Sequence, residues 1–477
     1  MIELDWLSGQ DALFLQVEAP NQPMHVGGLA IFEGAPFYDE TGEFRLEDVR
    51  EAIAARLHLV PRFRRKLHHI PFDTSHPVWV DDPDFDVANH VRCERLPEPG
   101  GWDELRHFVQ HVEAVPLDRD LPLWELWFVE GLAEGRVALV QKTHHALIDG
   151  ISGIDVATVL LDLEAEPEPD SASAPAWEPQ APPTDAELLL GGLSERLAGP
   201  TAWLQSVAAS LRRPDHAAED LLATAVDAGR ALLAAGLPPS PTPWNVPIGP
   251  TRRYEVARVP LAAVKVVKAA AGASVNDVIL AICAGALRAF LLHRGEEVPP
   301  GRTLRTFVPV SLRSPDERFS FGNRVSGMLA ELPVGESGPE ARLREVCRQM
   351  AAVKQSGQAE MADQVLAVGD LAPPAMVGFA ARLIVRQRTV NLGITNVPGP
   401  QVPLYCMGAR LLEVFPYVGV FEQTGLLMGV ISYCGQLGFG LTGDGGSMPD
   451  LEVLARAIEA EVEVLLAATG DGCGTGA

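Results

Sequence analysis

Residues 141–150, QKTHHALIDG, set two adjacent histidines ahead of an aspartate and a closing glycine. Three chemistries fit that run. A metal site needs three or four protein ligands at fixed geometry. Adjacent histidines on a strand point to opposite faces, and no HExxH motif or neighbouring Cys/His pair supplies further ligands, so no metal is expected. A second reading is a packed or surface pair. KLHHIPFD at 66–73 repeats the two histidines after a basic stretch, without the Asp-Gly closure, and is read as surface. The third is general-base catalysis: His145 at a strand end, entering a cleft, with an ordinary imidazole pKa near ~6.5 suited to taking a proton at neutral pH. Asp149 would then lie behind the loop and require a cationic partner. Gly150 would permit the sharp turn onward.

The surrounding pattern must present that run. GRVALVQKTHHAL (135–147) reads as a strand in a hairpin with PLWELWFVEGL (122–132), followed by a helix in GISGIDVATVLLDLE (150–164). Loops at strand ends are where a rigid scaffold offers reactive groups. Upstream, SGQDALFLQVE (8–18) has a capping serine and helical apolar spacing, MHVGGLAIFEG (24–34) reads as a strand, and RLEDVREAIAARLHLVP (45–61) as an amphipathic helix stopped by Pro61. Composition changes at 164–185, rich in Pro, Ala and acids, which reads as a solvated linker. An Ala- and Leu-rich amphipathic helical segment covers 186–236, divided by Pro200 and Pro214, and 237–250 is a second Pro-rich tether. From 251 the alternation returns. A strand at 252–261 and a helix to Gly272 precede a helix at 274–295. Strands at 304–313 and 323–334 and a helix at 339–356 follow, then strands around 390–400, 426–435 and 436–444 and a closing helix at 450–468. The division is a first unit over 1–163, a linker over 164–250 and a second unit over 251–477. The fold class is α/β with mixed sheets in two units, since the order is not a regular βαβ repeat.

The 477 residues exceed one ordinary core, which agrees with two units. Sixty-three acidic against 38 basic residues give a net charge of −25, with no general footprint for nucleic acid or anionic lipid. Six scattered cysteines without a CxxC pair fit a reduced, cytosolic chain. The N-terminus carries acids where a signal peptide needs bases, and no charge-free apolar run reaches the ~18 residues of a spanning helix. A soluble chain, at most resting on a membrane, is expected.

HHALIDG matches the HHxxxDG motif of the CoA-dependent acyltransferase superfamily, shared by chloramphenicol acetyltransferases, carnitine acyltransferases and condensation domains. Further landmarks resemble the bacterial wax ester synthase/acyl-CoA:diacylglycerol acyltransferase family. They are LDWLSGQDALFLQVE (4–18), PLW (122–124), ND (276–277), VPVSLR (308–313), GN (322–323), NVPGP (396–400), YVGV (417–420) and SYCGQLGFGLTGD (432–444). They run in the family's order along nearly the whole chain; the Phe-Pro-Tyr before Val418-Gly419 departs from it without touching a catalytic position. The resemblance implies two chloramphenicol-acetyltransferase-like domains with the reaction centre in a tunnel between them. It implies transfer of a long acyl chain from acyl-CoA, a substrate and not a cofactor, to a fatty alcohol or diacylglycerol. The products are wax esters, triacylglycerol or both, and no cofactor is needed.

Within that resemblance His145 is the proton acceptor, and the hydroxyl attacks the thioester directly. His144 orients the loop, contacts substrate or packs in the core. Asn276 is the oxyanion candidate, although Ser274 and Asp277 also form a capping box that accounts for the stretch structurally; Asp277 is read as mainly structural. Arg313 is the candidate partner of Asp149, or else a strand-end arginine in solvent. Trp124, Asn396 and Pro398 are candidates for shaping and lining the substrate tunnel. The basic runs at 62–66 and 382–388 either meet CoA phosphates or are solvated helix faces. The implied location is cytoplasmic, with peripheral attachment to the inner membrane or lipid inclusions and 186–236 as a candidate contact. A condensation-type or non-catalytic lipid-binding member is the alternative. The lack of a visible carrier module and the presence of His145 argue against it.

Overall fold

The structure, a computed structural model, describes residues 4–71, 75–147, 161–166, 177–189, 191, 239–311, 325–355 and 389–471. In chain order the first half carries β1 (Asp5–Trp6), α1 (Gly9–Val17), β2 (His25–Glu33), α2 (Leu46–Arg56), β3 (Arg65–His68) and β4 (Val78–Asp81). β5 (Val91–Arg95), α3 (Trp102–Ala114), β6 (Trp124–Glu130) and β7 (Arg136–His144) complete it. The second half carries β8 (Arg252–Pro260), α4 (Leu261–Ala271), α5 (Val275–His293), β9 (Leu304–Ser311), β10 (Val325–Leu332) and α6 (Pro339–Gln355). It continues with β11 (Leu392–Pro398), β12 (Tyr405–Cys406), β13 (Ala409–Val418), β14 (Leu426–Tyr433), β15 (Gln436–Asp444) and α7 (Leu451–Asp471).

Two six-stranded mixed sheets organise these elements. The first has the order β12-β13-β2-β7-β6-β5, parallel only between β5 and β6. The second has the order β10-β9-β11-β14-β15-β8, with β11 parallel to both neighbours. The expected β6–β7 hairpin is present, its return made at Glu134 with φ 63°. β2 and β7 pair in unbroken register from Glu33 opposite Arg136 to His25 opposite His144. The helices follow from their apolar spacing: α3 buries Leu105, Val109 and Val112 on one stripe. α5 is buried nearly all round, in the core of the second half. It is long and apolar enough to span a membrane, unlike anything expected from the sequence, but it is packed against the second sheet and α7.

The division at 251 does not separate the sheets. β13 pairs antiparallel with β2, from Val418 opposite Val26 to Leu411 opposite Phe32, because β7 covers one edge of β2 and leaves the other to be paired. From there β13 lies against β14 and β15 of the second sheet. A Cβ at Gly440 would fall 1.7 Å from the Pro416 carbonyl oxygen, and one at Gly438 2.0 Å from that of Val414. Only glycine allows that approach. The linkers also bury more than expected: Trp244 is sealed in the second core with its indole N–H on the Asn391 carbonyl (2.9 Å), and Leu188 is buried on Val78 and Val80. Of the helix expected over 150–164, the described residues 161–164 are not helical, and Asp162 bridges Tyr405. Most of 186–236 and the basic run 382–388 lie outside the described residues.

Candidate active site

His144 ends β7 and His145 opens the turn beyond it. The turn is held by backbone bonds: His145 N–H to the Met24 carbonyl (2.8 Å), His144 N–H to that of Leu123 (3.0 Å), and Leu147 N–H back to His144 (2.9 Å). The two rings then meet different surroundings. His144 is enclosed, whereas His145 is half-buried.

His144 Nδ1 accepts from the Ala146 N–H at 3.0 Å. A ring nitrogen that accepts carries no proton, so neutral His144 holds its proton on Nε2, which faces Glu18 Oε1 at 3.5 Å. Glu18 also accepts from the Met24 N–H (3.2 Å) and from Arg119 Nε (3.0 Å). Burial alone would raise its carboxyl; His144, Arg119 and the Met24 N–H outweigh that and hold it at about 2. Across the register, His25 stands edge-on to His144 at 6.3 Å and accepts from the Leu117 N–H at 3.3 Å. Burial, with Lys142 and His144 nearby, pushes His25 well below the ordinary imidazole range. His144 is thereby turned to support the loop, and the substrate-contact reading of it does not fit. His145 stacks face to face on Phe14 of α1, ring centroids 4.3 Å apart and planes 10° from parallel; such pairs add about 0.5–1.5 kcal/mol.

Further along β7, Lys142 is buried with Nζ 3.6 Å from Glu125. Glu113 of α3 is enclosed, and neither carboxyl oxygen has a hydrogen-bond donor among the described residues. Burial pushes it up to about 8, against the pull of Lys142.

In the second half, Ser274 caps α5: its Oγ accepts from the Asp277 N–H (3.1 Å), and the Asp277 carboxylate accepts from the Ser274 N–H (2.9 Å). That is the capping box expected from the sequence, and it gives Asp277 a structural place. Asn276 Oδ1 accepts from Asn396 Nδ2 at 3.3 Å, which turns the Asn276 N–H groups away from β11. The ND and NVPGP stretches thus meet through their asparagines. Pro398 is exposed at the end of β11. Trp124 is corrected as a tunnel-lining candidate: it is 1% exposed, stacked on His90 at 4.5 Å, with its indole N–H on the Phe63 carbonyl. Asp149, Gly150 and Arg313 lie outside the described residues.

The two halves meet beside the histidines. Asn21 Nδ2 donates to the Ile248 carbonyl (3.1 Å), Arg252 donates to the Asn21 carbonyl, and the Glu422 N–H donates to Gln22 Oε1 (2.7 Å). The turn that carries Met24 and His25 is therefore clamped by the second half. The basic run 62–66 spans a short 3-10 helix (Pro61–Arg64) and the start of β3 and is tied up by protein partners: Arg62 and Arg65 hold Asp5, Lys66 holds Asp82, and Arg64 lies over Trp177. A cavity of about 900 Å³ between α3, β8 and α7 takes in Arg136 at the opposite end of β7, roughly 30 Å of strand from His145, and is a separate feature. Among the described residues no three His, Cys, Asp or Glu side chains group as metal ligands.

Residues 7–279 match the wax ester synthase/diacylglycerol acyltransferase catalytic domain, and 321–465 match the WS/DGAT C-terminal domain. The chain belongs to the wax ester synthase/diacylglycerol acyltransferase family. It is an acyltransferase. A probable diacylglycerol O-acyltransferase of Mycobacterium tuberculosis is 35% identical over 473 residues, spanning 97% of this chain and 96% of the relative. The solved wax ester synthase/diacylglycerol acyltransferase of Marinobacter aquaeolei VT8 superposes with a TM-score of 0.69 at 27% identity, over 98% of this chain and all of that one. The first condensation domain of the CDA synthetase shares the two-domain fold, with a TM-score of 0.61 at 17% identity over 98% and 97% of the chains.

Neither Phe14 nor Glu18 was singled out by sequence reasoning. Both lie in the LDWLSGQDALFLQVE landmark, and their four-residue spacing at the C-terminal end of the expected helix was the available signal.

Proposed function

We propose that this acyltransferase moves a long acyl chain from acyl-CoA to the hydroxyl of a diacylglycerol or fatty alcohol, making triacylglycerol, wax esters or both. The observation that carries the mechanism is the half-buried His145 ring at the end of β7, in a turn that rests on Met24, beside a fully enclosed His144 that supports its loop. His145 accepts the hydroxyl proton, and the oxygen attacks the thioester carbonyl. The Asn276 N–H groups, at the start of α5, stabilise the oxyanion. Collapse breaks the C–S bond, and the CoA thiolate takes the proton back from His145. A thiolate leaves readily near neutrality, so no separate acid is required. Burial holds the Cys93, Cys283 and Cys406 thiols near 12, so none of these three is a ready nucleophile for an acyl-enzyme. Asp149 paired with Arg313 locks the loop, as the motif pattern implies.

The names of the mycobacterial relatives favour diacylglycerol as acceptor, and that of the Marinobacter enzyme keeps fatty alcohol beside it. Such substrates dissolve in membranes, so peripheral attachment to the inner membrane or lipid inclusions belongs to the proposal, with 186–236 as the contact. Unchanged membrane co-sedimentation after deletion of 186–236 would remove that segment from it.

Purified protein mixed with palmitoyl-CoA and either hexadecanol or diolein should release thiol and form ester. His145→Ala should lower turnover by about 10²–10⁴-fold. Absence of ester above the His145→Ala background with both acceptors overturns the assignment.

A further inference from the structure

We propose that Phe14 is a positioning residue for His145, setting the plane of its imidazole by face-to-face stacking. The proposal rests on His145 acting as the base. A base works only when the accepting nitrogen's lone pair lies along the path of the hydroxyl proton. The bond from His145 N–H to the Met24 carbonyl fixes the backbone but not rotation about the Cβ–Cγ bond. A parallel ring at 4.3 Å restricts that rotation to one plane.

Phe14 is itself held. Ser8 Oγ caps α1 by accepting from the Asp11 N–H at 3.0 Å, and Glu18 at the other end is fixed by Arg119 and the Met24 N–H. Ala12 and Leu15 bury the opposite side of α1 in the core that contains Ala146 and Leu147 of the histidine turn. Phe14 lies in α1 and Glu18 caps its C-terminus four residues on, its N–H on the Phe14 carbonyl (3.2 Å), so one helix and its cap support both histidines by different means. Glu18 takes the proton-bearing side of His144. Phe14 meets the face of the His145 ring and so orients it without using either nitrogen.

Two readouts test this. With histidine labelled at Cε1, the His145 resonance is assigned by its loss in His145→Ala. The Phe14 ring should displace its Hε1 upfield in the wild type and in Phe14→Tyr, and the displacement should vanish in Phe14→Leu. Phe14→Leu should lose about tenfold or more in kcat with KM for palmitoyl-CoA within about twofold, while Phe14→Tyr stays near wild type. An undisplaced wild-type resonance overturns the stack with no variant needed. Unchanged kcat in Phe14→Leu, or equal loss in Leu and Tyr, overturns the positioning role. Should Phe14→Leu fail to fold, Phe14→Met takes its place. A displaced resonance together with a fully active His145→Ala would instead sink the base assignment, and this role with it.

Discussion

The Glu18 carboxylate faces His144 Nε2 at 3.5 Å and leaves His145 to the aromatic ring one helical turn earlier. Glu18→Gln keeps the shape but puts an amide NH₂ in place of one oxygen, against either the Arg119 donors at Oε2 or the Met24 and His144 donors at Oε1. Mismatching buried donors should destabilise the protein by about 1–3 kcal/mol and slow turnover through the loop. Adding Arg119→Met should cost less than the sum of the two single changes. Melting curves and initial rates on the three variants check this. A wild-type melting temperature for Glu18→Gln would show that the carboxylate supports nothing.

Asn276 owes its amide orientation to Asn396. Loss of one oxyanion donor typically lowers kcat by about 10²–10³-fold, so Asn276→Ala should fall in that range. Asn396→Ala should fall less, and the double variant should be little worse than Asn276→Ala. A double variant whose loss equals the product of the two singles would mean the asparagines act separately.

Acid should unfold the histidine layer in a set order. His25 is held neutral by burial, below its unfolded pKa near ~6.5, so below that pH the unfolded chain binds more protons and stability falls. Glu18, at about 2 against 4.5, contributes stability that is present above about 4.5 and lost as pH falls toward 2. The melting temperature should therefore decline from about pH 6.5 downward, and in Glu18→Gln the decline below about pH 4.5 should be shallower. Identical slopes would contradict the assignment.

Glu113 titrates with the opposite sign. Its carboxyl, raised to about 8 against 4.5, contributes stability present below about 4.5 and lost as pH rises through about 8. Glutamine mimics the protonated form. Glu113→Gln should match the wild type near pH 5 and melt higher than it near pH 9; a constant difference between the two pH values would rule this out.

The sequence made the periodic elements and the motif histidines legible, because strand alternation, caps and turn residues are local signals. The hairpin that presents His145 and the capping box of Ser274 and Asp277 were readable for that reason. β13 was not. Pro416 in its middle argues against a strand, and the strand is tolerated because its partners are a β2 edge and glycine-faced β15, both remote in sequence. Trp124 looked like a substrate contact because an aromatic in a motif carries no mark of which way it faces; the core claims it. Phe14 and Glu18 escaped because a short, largely apolar helix and its cap do not announce what their half-buried side chains will meet.

The pairing of β13 with β2 also shapes how the protein is made. Val26 waits for Val418, so in a chain growing at ~5–20 residues per second the β2 edge stays open for on the order of tens of seconds. An open edge beside a paired sheet is a template for another nascent chain. The contact from Glu422 to Gln22 arrives just as late, long after Arg252 has been made. The histidine turn is thus completed only once Glu422 has emerged, and the unfinished chain, still without its catalytic seat, is the form most dependent on a chaperone.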